Sequence, residues 1–144
     1  MVIAIIGESC VGKSTLADRF SHRLHAEVST GKDYLRLAKN EAIAQKLFQK
    51  KLEDACSGEH VIYVISEKEH LALLPKGAVR VLLTADLNVI LERFYQRMRG
   101  KLPEPVRQML VKKHGVFDRE DCLIHIHNNV GVDEACERIA EVAG

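Results

Sequence analysis

The chain has 144 residues, a length that suits one compact domain with a single buried core. Hydrophobic residues make up 47% and charged residues 28%, both ordinary values for a soluble globular protein. The formal net charge of +1 gives no overall electrostatic reason to expect nucleic-acid or membrane binding, and no apolar run is long enough to cross a bilayer.

The first residues and the cysteines both bear on localisation. Met1 to Ile6 lacks a basic region and leads directly into a glycine-containing loop, so we expect a first strand here and no signal peptide. The cysteines show neither a CxxC motif nor metal-ligand spacing, which favours reduced thiols in a cytoplasmic protein. They stand at Cys10, Cys56, Cys122 and Cys136.

Short apolar, β-branched runs alternate along the chain with segments of helical period. The runs predict strands over Val2–Ile6, Ala26–Ser29, Val61–Ile65, Val79–Leu83 and Leu123–Ile126. Between them we predict helices over Lys13–His25, Asp33–Lys39, Glu41–Cys56, a short stretch before Pro75, Asp86–Arg99 and Val132–Val142. Continuously apolar strands that alternate with helices indicate a parallel sheet covered on both faces, so we predict one α/β domain over residues 1–144.

A complete GxxxxGK[ST] pattern lies between the first predicted strand and the first predicted helix. This is the context in which such a loop binds phosphate, because its backbone amides and the start of the helix point at the ligand. We therefore predict a nucleoside-triphosphate site with ATP as cofactor. Its residues are Gly7, Glu8, Ser9, Cys10, Val11, Gly12, Lys13, Ser14 and Thr15.

Individual residues of this loop have distinct expected roles. Gly7 and Gly12 let the backbone curl so that successive amides face phosphate oxygens. Lys13 is expected to bridge the β- and γ-phosphates, and Ser14 to supply a hydroxyl ligand to Mg²⁺.

The segment after the second strand, Val28-Ser29-Thr30-Gly31-Lys32-Asp33-Tyr34-Leu35-Arg36, resembles the corresponding region of nucleoside monophosphate kinases. In that family a Ser/Thr-Gly turn opens a helix that carries an arginine, and both hold the acceptor nucleotide. The resemblance implies that Ser29, Thr30, Gly31 and Arg36 bind substrate. One extra residue, Lys32, separates Gly31 from Asp33.

Two later segments look like the cytidylate kinase-like group of that family. They are Val81–Asp86 with Glu92, Arg93 and Arg97, and Gly115–Asp118 with Ile124–Asn129. The resemblance implies a three-layer P-loop NTPase fold, with a five-stranded parallel sheet in the order 2-3-1-4-5 and helices on both faces. It also implies a short lid after the fourth strand.

A basic segment occupies the position of this lid, at about residues 98–120. It follows Arg93 and Arg97, which are four residues apart and share a helix face. Gly100 and Leu102–Pro105 interrupt the helical pattern and predict a hinge followed by a new helix.

Arginines on a closing lid stabilise the charge of a transferring phosphoryl group, so we assign Arg93 and Arg97 a catalytic role. A solvated basic face and a nucleic-acid-binding patch are the alternatives, and without interleaved aromatic residues no nucleic-acid partner is expected.

The carboxylate beside the magnesium is the least defined part of the predicted site. The third strand ends in Ser66-Glu67, without the acid-glycine-arginine turn that many relatives carry. Asp33 lies just beyond the second strand, where small-molecule kinases such as shikimate kinase have a magnesium-associated aspartate. We therefore include Asp33 among the catalytic residues, although an ordinary helix start explains it equally well.

The last predicted strand carries two histidines. His125 and His127 alternate with Ile124 and Ile126, so both are expected on the same side of the sheet. A zinc site needs further ligands that the sequence does not place, which favours ordinary core or surface histidines.

These observations lead to an ATP-dependent phosphotransferase that moves the γ-phosphoryl group to a nucleotide or nucleoside. A second hypothesis replaces the acceptor by a small hydroxylated metabolite, which Asp33 favours. A third is a nucleotide-binding module without catalysis, which the missing strand-end aspartate favours. We expect a monomer or weak dimer without a membrane partner.

Overall fold

A computed structural model describes all residues of the chain, 1–144. Five strands, β1 to β5, span Val2–Gly7, Glu27–Thr30, Val61–Ile65, Val79–Thr84 and Ile124–His127. Five α-helices, α1 to α5, span Lys13–Leu24, Glu41–Ala55, Leu87–Arg97, Glu104–Lys113 and Val132–Ala143. Two 3₁₀ helices span Asp33–Leu37 and Lys68–Leu73.

The strands form one parallel sheet in the order β2-β3-β1-β4-β5, as predicted. β1 is central: Ile6 pairs with Ile65 of β3 and with Leu82 of β4. All six residues of β1 are buried, because a central parallel strand is covered by helices on both faces. The carboxyl ends of all strands, where ligands bind in open α/β sheets, therefore meet at one edge.

α1 and α5 cover one face of the sheet. Phe20 of α1 and Ile139 of α5 pack there against Ile3 and Ile5 of β1. Buried residues of α3 and α4 join the same cluster, which brings the segment after β4 over this face. The opposite face is covered chiefly by α2.

α2 packs its apolar side on the β2-β3-β1 part of that opposite face. Phe48 and Leu52 of α2 are buried with Ala4, Ile6 and Tyr63 of the sheet. Towards β5 this face carries the polar residues described below.

The predicted helices over Asp33–Lys39 and before Pro75 are short 3₁₀ helices instead. The first has no room to lengthen, because Ala38 is extended and the Asn40 side chain accepts a hydrogen bond from Ile43 N (3.1 Å) to begin α2. Within the predicted lid, 98–103 forms a connection and α4 follows, as the sequence indicates. None of the helices has the length and apolarity that crossing a membrane requires.

Candidate functional site

The phosphate-binding loop closes tightly on the end of β1, which explains its two glycines. A Cβ on Gly7 would lie 2.7 Å from both the Leu83 carbonyl oxygen and Val11 Cγ2. Gly12 has φ of +101°, and a Cβ there would lie 2.6 Å from a terminal amide atom of Asn129. Gly7 therefore leaves no room for a side chain, and Gly12 has a backbone conformation that favours glycine.

Lys13, at the start of α1, is buried beneath the loop. Its Nζ donates a hydrogen bond to the Glu8 carbonyl oxygen, and the residue is 8% exposed. Burial lowers the pKa of Lys13 to about 8, because removal from water disfavours the ammonium form. Negatively charged phosphates would restore favourable surroundings to this ammonium group.

A pocket of about 200 Å³ opens at the carboxyl ends of β1, β2 and β3 beside Lys13. It combines loop residues with side chains from two neighbouring strand ends and from α3. The lining residues are Ser9, Cys10, Gly12, Lys13, Ser14, Thr15, Thr30, Val64, Ser66 and Arg97. This is the edge where α/β folds bind their ligands, and we call it the phosphate pocket.

The two arginines of α3 reach the loop in different ways. Arg97 lines the phosphate pocket, and its positive charge contributes to lowering the pKa of Lys13. Arg93 Nη1 instead donates to the Cys10 carbonyl oxygen at 3.0 Å. Arg97 therefore lies in the pocket itself, whereas Arg93 contacts the loop backbone and does not line the pocket.

Asn129, in the loop after β5, is a loop-supporting residue that sequence reasoning missed. With its amide oriented to satisfy both neighbours, the oxygen accepts from Arg93 Nη2 (3.0 Å) and the nitrogen donates to the Val11 carbonyl oxygen (3.3 Å). Asn129 also has φ of +60°, a conformation that asparagine adopts more readily than most residues. The Asn128-Asn129 pair was the signal that could have located this tight turn.

Glu8 connects the phosphate loop to the end of α4. Its carboxylate, on a residue only 8% exposed, lies 3.1 Å from His114 Nδ1 and accepts from Gly115 N at 3.2 Å. The side chain therefore turns towards the predicted lid segment, and only the backbone of Glu8 faces Lys13. The sequence places Glu8 within the loop but gives no sign of this partner, which lies 106 positions away.

Only one of the residues predicted to bind the phosphoryl acceptor lines the phosphate pocket. Thr30 lines the pocket, whereas Ser29 is a buried residue of β2 and does not line it. The Gly31 carbonyl oxygen accepts from Tyr63 Oη at 2.8 Å, which fixes the turn. Arg36 extends into solvent, with its side chain 83% exposed and Nη2 at 3.8 Å from Asp33 Oδ1.

Asp33 is held against the same turn. Its Oδ2 accepts a hydrogen bond from Thr30 N at 2.9 Å, which closes the turn before the first 3₁₀ helix, and no side chain caps that helix. Oδ1 of Asp33 has no hydrogen bond. Its neighbour in this turn, Thr30, lines the phosphate pocket. Asp33 itself does not line that pocket.

The residues at the pocket fit a magnesium ion that is held mainly by phosphates. Mg²⁺ keeps several waters and needs only one or two protein oxygens in nucleotide sites, and Ser14 and Ser66 offer hydroxyls there. The next carboxylate, Glu67, pairs with Lys113 Nζ of α4 at 3.5 Å. No group of three histidine, cysteine or acidic side chains forms a separate metal site.

A polar cavity of about 430 Å³ lies over β4 and β5. As predicted, His125 and His127 face the same side, and their ring nitrogens lie 2.7 and 2.8 Å from Thr84 Oγ1. His127 Nε2 lies 3.1 Å from Asp86 Oδ1. Hydrogen bonds from Asn128 and His127 lower the pKa of Asp86, so this group of side chains satisfies itself internally.

Solved structures of two named kinases and of a resistance protein share the fold. The chain matches a gluconokinase from Sinorhizobium meliloti with 17% identity, covering 98% of this chain and 94% of that one, at a TM-score of 0.64. It matches a shikimate kinase from Acinetobacter baumannii, solved in complex with shikimate, with 17% identity, 98% and 91% coverage and a TM-score of 0.64. A tunicamycin resistance protein from Deinococcus radiodurans matches with 20% identity, 99% and 95% coverage and a TM-score of 0.65.

No protein-family model matches the chain, and no curated protein matches it in sequence. The structural matches show that the chain has the fold of P-loop kinases. None of the three bears the name of a nucleotide kinase, so the resemblance to the cytidylate kinase-like group stays a prediction.

Proposed function

We propose that this protein is an ATP-dependent kinase that transfers the γ-phosphoryl group to a hydroxyl of a small metabolite. The observation that carries the proposal is the phosphate pocket, where Lys13, Ser14 and Arg97 converge beside Thr30. An ammonium, a hydroxyl and a guanidinium on one pocket are the groups that phosphoryl transfer requires for positioning and charge stabilisation.

Each of these groups has a role in the proposed reaction. Lys13 leaves the Glu8 carbonyl and pairs with the β- and γ-phosphates, and Arg97 stabilises charge on the equatorial oxygens of the transferring group. Ser14 would hold Mg²⁺, which supplies neutralisation of phosphate charge when bound. The acceptor oxygen forms a bond to the γ-phosphorus while the bond to the bridging oxygen breaks, and ADP leaves.

Asp33 is the proposed base for this step. Its Oδ2 is fixed on Thr30 N, so its unbonded Oδ1 can accept the proton that the acceptor hydroxyl loses. Arg36 Nη2 lies 3.8 Å from Asp33 Oδ1. We propose that Arg36 orients the substrate by donating hydrogen bonds to its oxygen atoms. Ser29 and Gly31 contribute by holding this turn in place.

A small acceptor suits the chain better than a nucleotide. Between β2 and β3 the chain provides only a five-residue 3₁₀ helix and α2, and the inner side of α2 is already packed on the sheet through Ala44, Phe48 and Leu52. Little surface is therefore left to enclose a second nucleotide. Structural neighbours named gluconokinase and shikimate kinase agree with a hydroxylated acceptor.

The test is ADP release by purified protein with ATP and Mg²⁺, screened against gluconate, shikimate, D-glucose, CMP and dCMP. We expect a sugar or hydroxy acid to stimulate ADP release. Stimulation by CMP or dCMP alone would support kinase activity but show that the acceptor is a nucleotide. ATP binding without stimulation by any acceptor would overturn the proposal in favour of a nucleotide-binding module.

A further inference from the structure

Glu8 is the one acidic residue of the phosphate loop, and its main chain and side chain contact different parts of the molecule. Its carbonyl oxygen accepts a hydrogen bond from Lys13 Nζ, in the wall of the phosphate pocket. Its carboxylate lies 3.1 Å from His114 Nδ1 and accepts from Gly115 N at 3.2 Å. A single residue therefore joins the lysine of the pocket to the end of α4.

General electrostatics does not account for a carboxylate at this position. A negative charge in a loop that binds phosphate repels the ligand, and the C-terminal end of a helix carries partial negative charge. Specific hydrogen bonds must therefore hold Glu8 here. Since an ionised carboxylate only accepts, His114 Nδ1 and Gly115 N supply the donors.

The burial of Glu8 makes this contact the firmer of two that reach the end of α4. Its side chain is 9% exposed, and a buried charge that loses its partners is strongly destabilising. The other contact joins Lys113 Nζ to Glu67 Oε1 at 3.5 Å, with both side chains 53% exposed. Exposed ion pairs contribute little, so the position of His114 and Gly115 depends chiefly on Glu8.

The backbone at the end of α4 is arranged for the same contact. His114 caps the helix, and Gly115 follows with φ of +85°, in the left-handed region that favours glycine. A glycine at this position commonly returns its N–H to a carbonyl oxygen of its own helix. Here the N–H of Gly115 donates to the Glu8 carboxylate and to no carbonyl oxygen of α4.

Phosphate binding would change the hydrogen bond on the other side of Glu8. In the proposed reaction Lys13 leaves the Glu8 carbonyl oxygen and pairs with phosphates, while the loop amides that follow Glu8 bind phosphate oxygens. The carbonyl and the carboxylate belong to one residue. A rearrangement of the loop backbone therefore reaches His114 and Gly115 through the Glu8 side chain.

We propose that Glu8 is a positioning residue that couples occupancy of the phosphate pocket to the end of α4, so that bound nucleotide strengthens the contact of Glu8 with His114 and Gly115. The inference rests on the ATP binding proposed above, but it does not require phosphoryl transfer. Coupling between two places in a protein is reciprocal. Breaking the contact at His114 therefore weakens nucleotide binding by the factor with which the nucleotide strengthens the contact.

The first measurement follows hydrogen exchange of the Gly115 amide by NMR, with and without saturating β,γ-imido-ATP and Mg²⁺. We expect the nucleotide to slow this exchange about tenfold, because the bond to Glu8 opens less often. In Glu8→Ala the Gly115 amide should exchange rapidly in both states, while the Gly12 amide in the loop is still slowed. Glu8→Gln should keep part of the effect at Gly115, since an amide oxygen still accepts from its N–H.

The second measurement is calorimetry of the same nucleotide with His114→Phe, which leaves the sequence of the loop intact. His114 does not line the phosphate pocket, yet its substitution should weaken binding by about the same tenfold factor. His22→Phe is the matched control, because His22 is exposed on α1 and contacts only its own helix. It should bind like the wild type. His114→Phe also provides the test if Glu8→Ala fails to fold.

Nucleotide that binds without slowing exchange at Gly115 would overturn the proposal, and so would equal affinity in His114→Phe and His22→Phe. No binding to the wild type would contradict the ATP site itself and overturn this inference with it. Binding with the predicted coupling, but without transfer to any acceptor, would support the role of Glu8 while the proposed kinase activity fails.

Discussion

Arg93 and Cys10 are 83 residues apart in sequence, yet the guanidinium of Arg93 donates to the Cys10 carbonyl oxygen at 3.0 Å. Cys10 has φ of +64°, so this contact supports a part of the phosphate loop that has an uncommon backbone conformation for a residue with a side chain. α3 is thereby fixed to the loop, and this contact sets the position from which Arg97 faces the phosphate pocket.

Replacing Arg93 should loosen the loop without removing its phosphate ligands. Arg93→Met loses the bonds to the partly buried Cys10 carbonyl oxygen and to the exposed Asn129 amide, and we expect the free energy of unfolding to fall by about 1–2 kcal/mol because both acceptors lose a charged donor. ATP affinity should fall together with it. Urea unfolding and ATP titration of the same preparation test this. An unchanged free energy of unfolding together with an unchanged ATP affinity would contradict the supporting role.

Lys13→Met should greatly weaken ATP binding. The variant keeps the length of the side chain but loses the ammonium group, so charge-assisted bonds to phosphate oxygens disappear and affinity should fall by about 10²-fold. Isothermal titration calorimetry with ATP and Mg²⁺ measures the change. Lys46→Met, an exposed substitution on α2, is the matched control and should bind ATP like the wild type.

Lys13→Met should be more stable than the wild type at neutral pH in the absence of ATP. Native Lys13 has a pKa of about 8, whereas an unfolded lysine titrates at about 10.4, so the native state pays roughly 3 kcal/mol to keep this group charged. Between these values the unfolded chain binds more protons, so wild-type stability rises with pH. Urea unfolding at a series of pH values should therefore show the advantage of Lys13→Met at pH 7 shrinking towards about pH 10; a constant difference would contradict the lowered pKa.

Arg97→Met is expected to lower kcat far more than it raises KM for ATP. A guanidinium that acts on the transferring phosphoryl group stabilises the transition state selectively, and removal of one such donor costs about 10²–10³ in kcat. Arg99→Met offers a control two positions along, because Arg99 does not line the phosphate pocket. Steady-state kinetics of both variants distinguish them, and an equal loss in kcat would show that general basic charge is responsible.

Asp33→Asn should distinguish the structural role of Asp33 in the turn from its proposed role as the base. The amide oxygen can still accept from Thr30 N, so the turn keeps its shape, but the base is lost and the phosphoryl transfer rate should fall by about 10²-fold or more. ATP affinity should stay the same, since Asp33 does not line the phosphate pocket. Single-turnover transfer measured with saturating ATP gives the rate. A variant that transfers at the wild-type rate would limit Asp33 to holding the turn at Thr30.

The sheet and the phosphate loop could be predicted from sequence because both are local signals. Buried strands such as Val61–Ile65 are continuously apolar, and the loop pattern sits between a strand and a helix. The break before α4 also followed from local signals at Gly100 and Pro103, whereas the lid itself is an expectation from resemblance to a family. The strand order came from resemblance to a family.

The supporting contacts could not be predicted, because they join residues that are distant in sequence. Nothing near Glu8 points to His114, and nothing near Asn129 points to Val11, until the fold brings them together. The burial of His70 without a hydrogen-bond partner is likewise a property of packing, because its neighbours Tyr34 and Tyr63 come from other elements.

The central claim is that the γ-phosphoryl group of ATP is transferred to a small hydroxylated acceptor at the pocket of Lys13 and Arg97. The most direct measurement follows the label of [γ-¹⁸O]ATP by mass spectrometry, with the acceptor that gives the largest ADP release. We predict that the labelled phosphoryl group appears on the acceptor, and that Lys13→Met abolishes this product. Label found only in inorganic phosphate, or remaining in ATP, would contradict the account.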